Sequence, residues 1–562
     1  MLSETETLQR ADVLFQQGRL EKAEKILKKL RKKFSTSVDV LQLSGLVAFH
    51  RKNLFLAINC FRKAIRLNSG SYELYSLLGT ALMENKDFGL AEDAYSCALS
   101  INPQDPGLHN NVGNLLREIG DFEKAEKAYR ESLSFRPNSE MVLLNLADIL
   151  YKMEKFVKVE EIYKSLIAMG TNDTSVYSDL SNTLLHQNKC DEAIYICRSG
   201  ISKLGDQVPL IHSLGHALGA GGDLDESKRK FLQILKINPD HKQTLAALST
   251  HYFLEGDWLN GWIAYEARFR EGGMPLRPFI QKMWEGEDLS GKTILVWGEQ
   301  GVGDEIMYAS ILADLIKEDV TVLCETDERL VSLFQRSIPM SSFFSKKDPP
   351  IKELRSSLID FQCPMGNLGR WLRYESKCFS IERAFLKPDQ KKKQMLREKY
   401  EKHKMLIVGL TWHSANKETG PQKSLKLQDL KLLFDIPGIR FVDLQYGCTV
   451  DERASFFNKS GYKIFHDDSV DQLKSLDDFA AQVASMDLVI SISGTTIHMA
   501  GALGVPAWAM LQVVPNCKWM LDRDDTPWYE SVRLFRQTVA GDWIPVIRKI
   551  AKELKIYQKT LN

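Results

Sequence analysis

Three things are missing from this 562-residue sequence, and each absence excludes a class of protein. The chain has no excess of charge of one sign, since it contains 74 Lys and Arg and 73 Asp and Glu. No net electrostatic field therefore indicates binding to nucleic acid or to an anionic membrane. No apolar run approaches the ~20 residues that cross a bilayer. The N-terminal MLSETETLQRADVLF is acidic where a signal peptide is basic. We therefore expect a cytoplasmic protein that binds no nucleic acid and has no membrane span.

The nine cysteines are scattered along the chain. They form no CxxC pair and no Cys/His cluster with the spacing of a metal site, so we expect reduced thiols and no metal ligands. At roughly 150 residues per domain, the length allows about three to four domains.

The first half of the chain contains a repeat with a period of 34 residues. A small residue recurs at this interval, and a bulky residue follows each one four positions later. The small positions are Ala23, Ala57, Ala91, Ala125, Val159, Ala193, Ser227 and Gly261, and the bulky ones are Leu27, Phe61, Tyr95, Tyr129, Tyr163, Cys197, Phe231 and Tyr265. A spacing of four places both on one helical face, where the small residue lets a neighbouring helix approach.

Residues 4–270 therefore resemble the tetratricopeptide repeat, in which each of about eight units is a pair of antiparallel helices. Such units stack into a superhelix whose concave surface commonly binds an extended peptide or a partner protein. The alternative is that the repeats only scaffold or dimerise.

The composition and the hydrophobic period of the sequence change after the repeats. Residues 271–292, EGGMPLRPFIQKMWEGEDLSGK, are rich in Gly and Pro and indicate a linker. Short β-branched runs then alternate with helical stretches, a pattern typical of parallel sheets built from βαβ units. We expect two α/β lobes, at residues 293–388 and 404–562, with a lysine-rich helix between them.

The first predicted lobe contains a glycine-rich loop, GEQGVGDE, at residues 298–305. It follows the predicted strand TILVW and precedes a predicted helix, so its glycines and Asp304 lie at the carboxyl end of a strand, where open α/β sheets bind ligands. The alternative is that Asp304 only caps the helix.

The second predicted lobe contains SISGTTIHMAGALGVP at residues 491–506. Gly494, Thr495 and Thr496 lead from a predicted strand into a helix predicted from Ile497, and the first turn of that helix contains His498. A helix N-terminus offers unpaired N–H groups and a partial positive charge, so it can bind a phosphate. The alternative is a threonine cap beside a core histidine.

Four segments together resemble the heptosyltransferase-like glycosyltransferases, family 9 and its tetratricopeptide-fused bacterial relatives. In chain order they are WGEQGVGDEIMYASIL, TWHSANKETGPQKSLKLQDL, SMDLVISISGTTIHMAGALGVPAWAML and DDTPWYESVRLFRQTVAGDW. The repeats in front narrow the resemblance to bacterial protein glycosyltransferases similar to those that modify flagellin. The architecture is also like that of the nucleocytoplasmic O-linked N-acetylglucosamine transferase.

The resemblance implies a GT-B fold of two Rossmann-like lobes, with a nucleotide-sugar co-substrate mainly on the second lobe and neither metal nor other cofactor. It implies that the backbone of Gly494, Thr495 and Thr496 and the side chain of His498 hold the donor phosphates. Lys423 would neutralise their charge as the bond to the sugar breaks. A solvated surface position for Lys423 is the alternative.

The same resemblance assigns the acceptor chemistry to the first lobe. Asp304 would be the general base for the acceptor hydroxyl, and Gly303 before it would contact the donor. Gln445 and Tyr446, at the end of the predicted strand IRFVDLQY, would face the nucleotide base or ribose, although a turn role for Gln445 is an alternative. Ser493 stands where heptosyltransferases usually have an aspartate, so a preference for ADP-heptose is not carried over.

The expected function is sugar transfer to Ser or Thr hydroxyls of a flagellin-like protein captured by the repeats. A non-catalytic repeat scaffold and transfer to a lipopolysaccharide-type glycan are the alternatives. The aromatic segment with Trp519, Arg523, Trp528 and Tyr529 either closes over the donor or packs one lobe against the other, and the flanking proline favours packing.

Overall fold

The computed structural model describes residues 3–269, 273–316, 319–379, 384–401, 404–416 and 420–561. By its internal contacts the chain forms two compact units, Met1–Gln187 and Asn188–Asn562. The predicted boundary between repeats and linker, at residues 270 and 271, lies outside the described residues, as does residue 562 of the second predicted lobe.

The first unit consists of helices joined by short turns. They are α1 (Glu4–Gln16), α2 (Leu20–Lys33), α3 (Val38–His50), α4 (Leu54–Leu67), α5 (Tyr72–Glu84), α6 (Phe88–Ile101), α7 (Pro106–Ile119), α8 (Phe122–Phe135), α9 (Glu140–Lys152), α10 (Phe156–Ala168) and α11 (Thr174–His186). The first helix of successive repeats begins after Ser3, Ser37, Ser71 or Asp105, and each of these side chains accepts a hydrogen bond from a first-turn N–H. These caps satisfy donors that the helix itself leaves unpaired.

The predicted small-and-bulky pattern is the core of the repeats. Tyr95 and Tyr129 are buried, and each ring lies against a glycine of the preceding helix. A Cβ on Gly79 would lie 2.7 Å from the Tyr95 ring, and one on Gly113 would lie 2.5 Å from the Tyr129 ring. The glycines therefore let the two helices of a repeat close on an aromatic side chain.

The second unit begins with five more repeat helices. They are α12 (Cys190–Leu204), α13 (Val208–Gly221), α14 (Leu224–Ile237), α15 (Lys242–Glu255) and α16 (Trp258–Tyr265). Two parallel five-stranded sheets with flanking helices follow, so the expected fold class, a tetratricopeptide solenoid followed by α/β lobes, is confirmed. Across the described ranges, none of the helices has both the length and the apolar character to cross a membrane.

The first sheet has the strand order β1-β5-β2-β3-β4 and the second has β10-β9-β8-β6-β7. The strands are β1 (Lys282–Met283), β2 (Lys292–Trp297), β3 (Val320–Thr326), β4 (Ser342–Ser345), β5 (Phe361–Pro364), β6 (Leu406–Thr411), β7 (Ile439–Asp443), β8 (Leu488–Ile492), β9 (Ala507–Leu511) and β10 (Val532–Arg536). The helices are α17 (Val302–Leu315), α18 (Val331–Ser337), α19 (Leu368–Leu372), α20 (Gln390–Tyr400), α21 (Gly420–Lys423), α22 (Lys431–Phe434), α23 (Val450–Ser460), α24 (Leu476–Ala484), α25 (Thr495–Ala502) and α26 (Ile544–Leu561).

The last repeat helix, α16, packs into the first lobe. The indole N–H of Trp262 donates to the Arg373 carbonyl (2.9 Å), and that of Trp258 donates to the Ser376 hydroxyl (3.1 Å). Both indoles belong to the same buried cluster as the core of the first lobe. Within the second unit, the end of the repeats and the first lobe therefore share one hydrophobic core.

Candidate functional site

Two loops at the carboxyl ends of buried strands start helices that face each other. Residues 298–301 lead from β2 into α17, and Ser493 and Gly494 lead from β8 into α25. Helix α25 begins at Thr495, two residues before the predicted start, because the extended backbone of Gly494 ends the strand and both threonines are already helical. Both threonines therefore belong to the first turn.

The N-terminus of α25 has no side-chain cap among the described residues, since its N-cap position is Gly494. First-turn N–H groups without a capping partner carry the positive end of the helix dipole. The space beside Gly494 is open, because apart from its chain neighbours no heavy atom lies within 4 Å of the position that its Cβ would take. There is thus open space beside the N-cap position of α25.

The starts of helices α17 and α25 approach each other closely at Gly303. A Cβ on this residue would lie 3.2 Å from Cδ2 of His498 and 3.4 Å from Cα of Thr495. Glycine at position 303 therefore leaves room for this close approach, whereas a side chain there would press on α25. The structure therefore brings together the predicted residues of the first loop and of the second.

His498 is buried and held from two sides. Its Nδ1 lies 3.0 Å from the Tyr529 hydroxyl, and its ring stacks on Trp519 with centroids 5.1 Å apart. Burial, and after it the positive charge of Lys423, lowers the pKa of His498 to about 3. The imidazole is therefore neutral at physiological pH.

The aromatic segment does two things. The indole N–H of Trp519 donates to the Ser493 hydroxyl (2.7 Å), so Trp519 supports the loop that leads into α25 as well as His498. Trp528 packs edge-on against Tyr308 and Phe379 of the first lobe, with centroids 6.2 and 5.0 Å apart, which is the packing of one lobe against the other that the sequence favours. Arg523 pairs with the neighbouring Asp525 (2.5 Å).

Asp304 occupies the third position of α17. Its backbone N–H donates to the Gly301 carbonyl (2.9 Å), and its Oδ2 accepts from the Gly301 N–H (3.3 Å), so it does cap the helix as in the alternative interpretation. Its Oδ1 also contacts Nζ of Lys518, which comes from the second lobe. The Asp304 carboxylate therefore both caps α17 and forms an ion pair between the two lobes.

Lys518 is almost enclosed, with 9% of its side chain exposed. Its Nζ lies 5.1 Å from the centre of the Tyr308 ring, within cation–π distance. Burial lowers the pKa of Lys518 to about 7, while the charge of Glu299 opposes this effect and that of Arg268 adds to it. The contact with Asp304 also favours the protonated ammonium.

A second buried ion pair lies under the first loop. Arg268, at the end of the last repeat, donates from Nε to Oε2 of Glu299 (2.6 Å) and from Nη2 to Oε1 (2.5 Å). Glu299 Oε1 also accepts from the Gly366 N–H (2.8 Å), and the Glu299 side chain has no exposed surface. Because Glu299 belongs to the loop 298–301, the end of the repeats fixes the conformation of that loop.

Lys423 is the last residue of the short helix α21 and is half-buried. Burial lowers its pKa, and its charge in turn lowers that of His498, so the two side chains lie within electrostatic reach of each other. Residues 417–419 of the same predicted loop lie outside the described residues. Within the described ranges no three His, Cys, Asp or Glu side chains are arranged to hold a metal ion.

Gln445 and Tyr446 hold the loop that follows β6. The Gln445 amide oxygen accepts from the N–H groups of Trp412 (3.0 Å) and His413 (2.9 Å), and its NH₂ donates to the His413 carbonyl (3.0 Å). The Tyr446 hydroxyl accepts from the Ala415 N–H. Gln445 therefore acts through the backbone of residues 412–413, as a turn residue does.

Sequence reasoning missed Lys518, Arg268 and Glu299. Glu299 lies inside the glycine-rich loop, and Lys518 stands beside Trp519, for which the sequence leaves closure over the donor and packing between the lobes as alternatives. A charged residue next to buried aromatic residues is a usable signal, because burial of a charge requires a partner. No sequence pattern connects Arg268 with a loop about 30 residues away.

Comparison with known proteins identifies the repeats. Tetratricopeptide repeat families match at residues 8–37, 56–106 and 106–139. Solved structures with partial similarity include YrrB, a TPR protein with an unusual peptide-binding site (18% identity, 34% of this chain, 98% of that chain, TM-score 0.30). A tetratricopeptide repeat protein from Parabacteroides merdae matches with 16% identity over 43% of this chain and 95% of its own, with a TM-score of 0.33.

A relative in Caulobacter vibrioides, Protein FlbA, is 30% identical over 316 residues. The match covers 52% of this chain and 52% of that protein, so the chain spans about half the length of the curated relative it matches. The chain thus carries tetratricopeptide repeats, an architecture that binds proteins and peptides. The repeats are followed by two α/β lobes, each with a sheet of parallel strands.

Proposed function

We propose that this chain is a metal-independent glycosyltransferase of the GT-B type that moves a sugar from a nucleotide sugar to Ser or Thr hydroxyls of a protein. The observation that carries the proposal is the close approach of the two helix starts, where a Cβ on Gly303 would lie 3.2 Å from His498 and 3.4 Å from Thr495. Two loops from different lobes, each at the carboxyl end of a strand, form the kind of crevice in which α/β proteins bind ligands.

The second lobe supplies a site for an anion. The uncapped start of α25 presents N–H groups, and the positive charge of Lys423 acts at the same place. A half-buried ammonium and a helix N-terminus together can stabilise a leaving diphosphate without a metal ion. We assign the donor phosphates to Gly494, Thr495 and Thr496, with His498 as a neutral hydrogen-bonding group.

The first lobe supplies the base. In the proposed reaction the acceptor hydroxyl oxygen forms a bond to the anomeric carbon, and the bond from that carbon to the phosphate oxygen breaks. The electron pair leaves with the nucleotide, and the hydroxyl proton passes to Asp304. The ion pair with Lys518 supports this role, because a neighbouring cation favours the carboxylate form that accepts a proton.

The repeats, residues 4–270 of the sequence, are proposed to bind the acceptor, for which a flagellin-like protein is our choice. The lobes at residues 293–388 and 404–562 would then form the acceptor and donor sides of the catalytic region. The packing of α16 into the first lobe supports a direct link between captured polypeptide and active site. We propose that the reaction takes place in the cytoplasm.

The first test is a thermal-shift screen of the full chain against UDP, GDP, ADP, CMP and dTDP. A ligand that binds only the folded state raises the melting temperature. We expect a shift with one nucleotide, which is lost in Lys423→Met and kept in Lys431→Met, because Lys431 is exposed. No shift with any of the five at millimolar concentration would instead favour the repeat scaffold.

The second test asks for transfer. The full chain is incubated with purified flagellin and the sugar form of the nucleotide found in the screen, and the acceptor's intact mass is measured. We expect an increase by one or more sugar residues on Ser or Thr. Nucleotide binding with no mass increase, but with transfer to a lipopolysaccharide core, would move the acceptor class from protein to glycan.

A further inference from the structure

One short turn touches both proposed catalytic loops. In the 3₁₀ turn Cys517–Trp519, the side chain of Lys518 reaches Asp304 in the first lobe. The next residue, Trp519, stacks on His498 and donates to Ser493 in the second lobe. Consecutive residues therefore contact the proposed base and the proposed donor loop.

The turn is fixed in place by its own hydrogen bonds. The Asn516 side chain accepts from the Lys518 N–H (3.2 Å), and the Trp519 carbonyl accepts from Arg536 (2.8 Å). Two residues after Trp519, the Leu521 N–H donates to the Leu254 carbonyl of α15 (3.1 Å). The turn is thus attached to the repeats as well as to both loops.

Stability alone does not account for a lysine at this position. Helix α17 already has its cap, because Asp304 accepts from Gly301 without help from Lys518. Enclosing an ammonium is costly, and replacing both members of a buried ion pair with well-packed apolar side chains of similar size is often neutral or stabilising. The contact with Asp304 is therefore the feature of Lys518 that needs a functional reason.

Charged and titratable groups from three elements surround this contact. Glu299 and Tyr308 come from the first lobe, Arg268 comes from the end of the repeats, and His498 comes from α25. Arg268 and Glu299 already neutralise each other through two hydrogen bonds. The ammonium of Lys518 is consequently the cation in contact with Asp304.

We propose that Lys518 is a positioning residue for Asp304, holding the carboxylate ionised and in place while it takes the proton of the acceptor hydroxyl. This inference rests on the proposed glycosyltransferase function. In this step Lys518 acts in its protonated form, the acceptor proton resides on Asp304 after transfer and then passes to solvent, and the nucleotide leaves with the electron pair. Because Lys518 and Asp304 come from different lobes, the base is complete only when the lobes are together.

The test is the pH dependence of turnover in the full chain between about pH 3.5 and pH 9, a range that includes the ordinary pKa of an aspartate. Nucleotide release is measured in the presence of purified flagellin, from UDP-, GDP-, ADP-, CMP- and dTDP-sugars, with wild type, Lys518→Met and Lys518→Arg. Lys474→Met is the control, because Lys474 is 85% exposed and pairs with Asp471 in the same loop region. A melting curve for each variant shows whether it folds.

In Lys518→Met, the acid limb of the kcat profile should move up by about one pH unit or more, since loss of a contacting cation makes a carboxylate easier to protonate. At a pH below both acid limbs this corresponds to about a tenfold loss in kcat, with the donor KM within about twofold. Lys518→Arg keeps the charge and should keep the acid limb, which covers the case in which Lys518→Met does not fold.

Two results would overturn the inference in distinguishable ways. If wild type turns over and the acid limb is the same in Lys518→Met, or is displaced in Lys518→Arg as far as in a folded Lys518→Met, the positioning role fails and the proposed function stands. If wild type releases nucleotide from none of the five sugars, the proposed function fails and the positioning role fails with it.

Discussion

Acid should destabilise the second compact unit through His498. Burial and the charge of Lys423 lower the pKa of His498 from its ordinary 6.5 to about 3. Between these two values the unfolded chain binds a proton that the folded unit does not, so the free energy of unfolding falls as the pH falls. The contribution of neutral His498 is complete above pH 6.5 and is lost progressively below it.

The size of this effect follows from the pKa difference. Each pH unit below 6.5 costs about 1.4 kcal/mol until the folded pKa is reached. At pH 5 the loss from His498 alone is therefore about 2 kcal/mol. This is a large share of the roughly 5–15 kcal/mol that stabilises a typical domain.

Tryptophan fluorescence measures this loss in the relevant unit. All ten tryptophans lie between Trp258 and Trp543, within the second unit, so urea unfolding followed at this signal does not report on the first unit. Wild type and His498→Gln are compared at pH 7.5 and pH 5. Since glutamine does not titrate, we expect wild type to lose about 2 kcal/mol more than the variant.

Other buried histidines in the unit do not disturb the comparison. Burial also lowers the pKa of His216, and it lowers that of His251 to about 4, but both residues are present in wild type and variant and cancel in the difference. His413→Gln, which removes an exposed histidine, is the matched control. Equal losses in wild type and His498→Gln, within about 0.5 kcal/mol, would refute the reasoning, because His498 would then not be held neutral by burial.

Two further substitutions test the packing around the site with the same fluorescence signal. Arg268→Met should destabilise the unit by about 3–5 kcal/mol, because it leaves the Glu299 carboxylate buried without its partner, and adding Glu299→Met should recover part of the loss. Gly501→Ala should cost about 1–3 kcal/mol, because its Cβ would enter the Tyr529 ring, whereas Gly494→Ala has open space and should change stability much less. A reversed order in either pair would contradict the contacts described.

The sequence predicted the strands that have long β-branched runs and missed the others. Among the described residues, six of the ten strands lie on the short β-branched runs of the sequence, and these are β2, β3, β6, β7, β8 and β9. The missed β1, β4 and β10 lie at sheet edges, where a strand pairs on one side only, and β5 is four residues long. Short strands with little alternation do not differ from loops in a sequence pattern.

The residues of the candidate site divide in the same way, into those that a local sequence pattern predicts and those that it does not. The two loops were predictable because strand, glycine and helix signals fall within about ten residues of each other in the sequence. The contact between Asp304 and Lys518 joins positions that are far apart in the chain, and so does the pairing of Arg268 with Glu299. Periodicity and local motifs carry no information about such pairs, which depend on how the lobes close.

The attachment of the last repeats to the lobes changes how acceptor binding should be tested. A deletion of the whole predicted repeat region, residues 4–270, would remove Trp258, Trp262 and Arg268, and with them the partners of Arg373, Ser376 and Glu299. Loss of transfer in that variant would then report a damaged active site as readily as a lost acceptor. A deletion that ends at Gln187 leaves the second unit whole. If the earlier repeats bind the acceptor, this shorter deletion abolishes transfer to protein while the nucleotide still raises the melting temperature of the remaining chain.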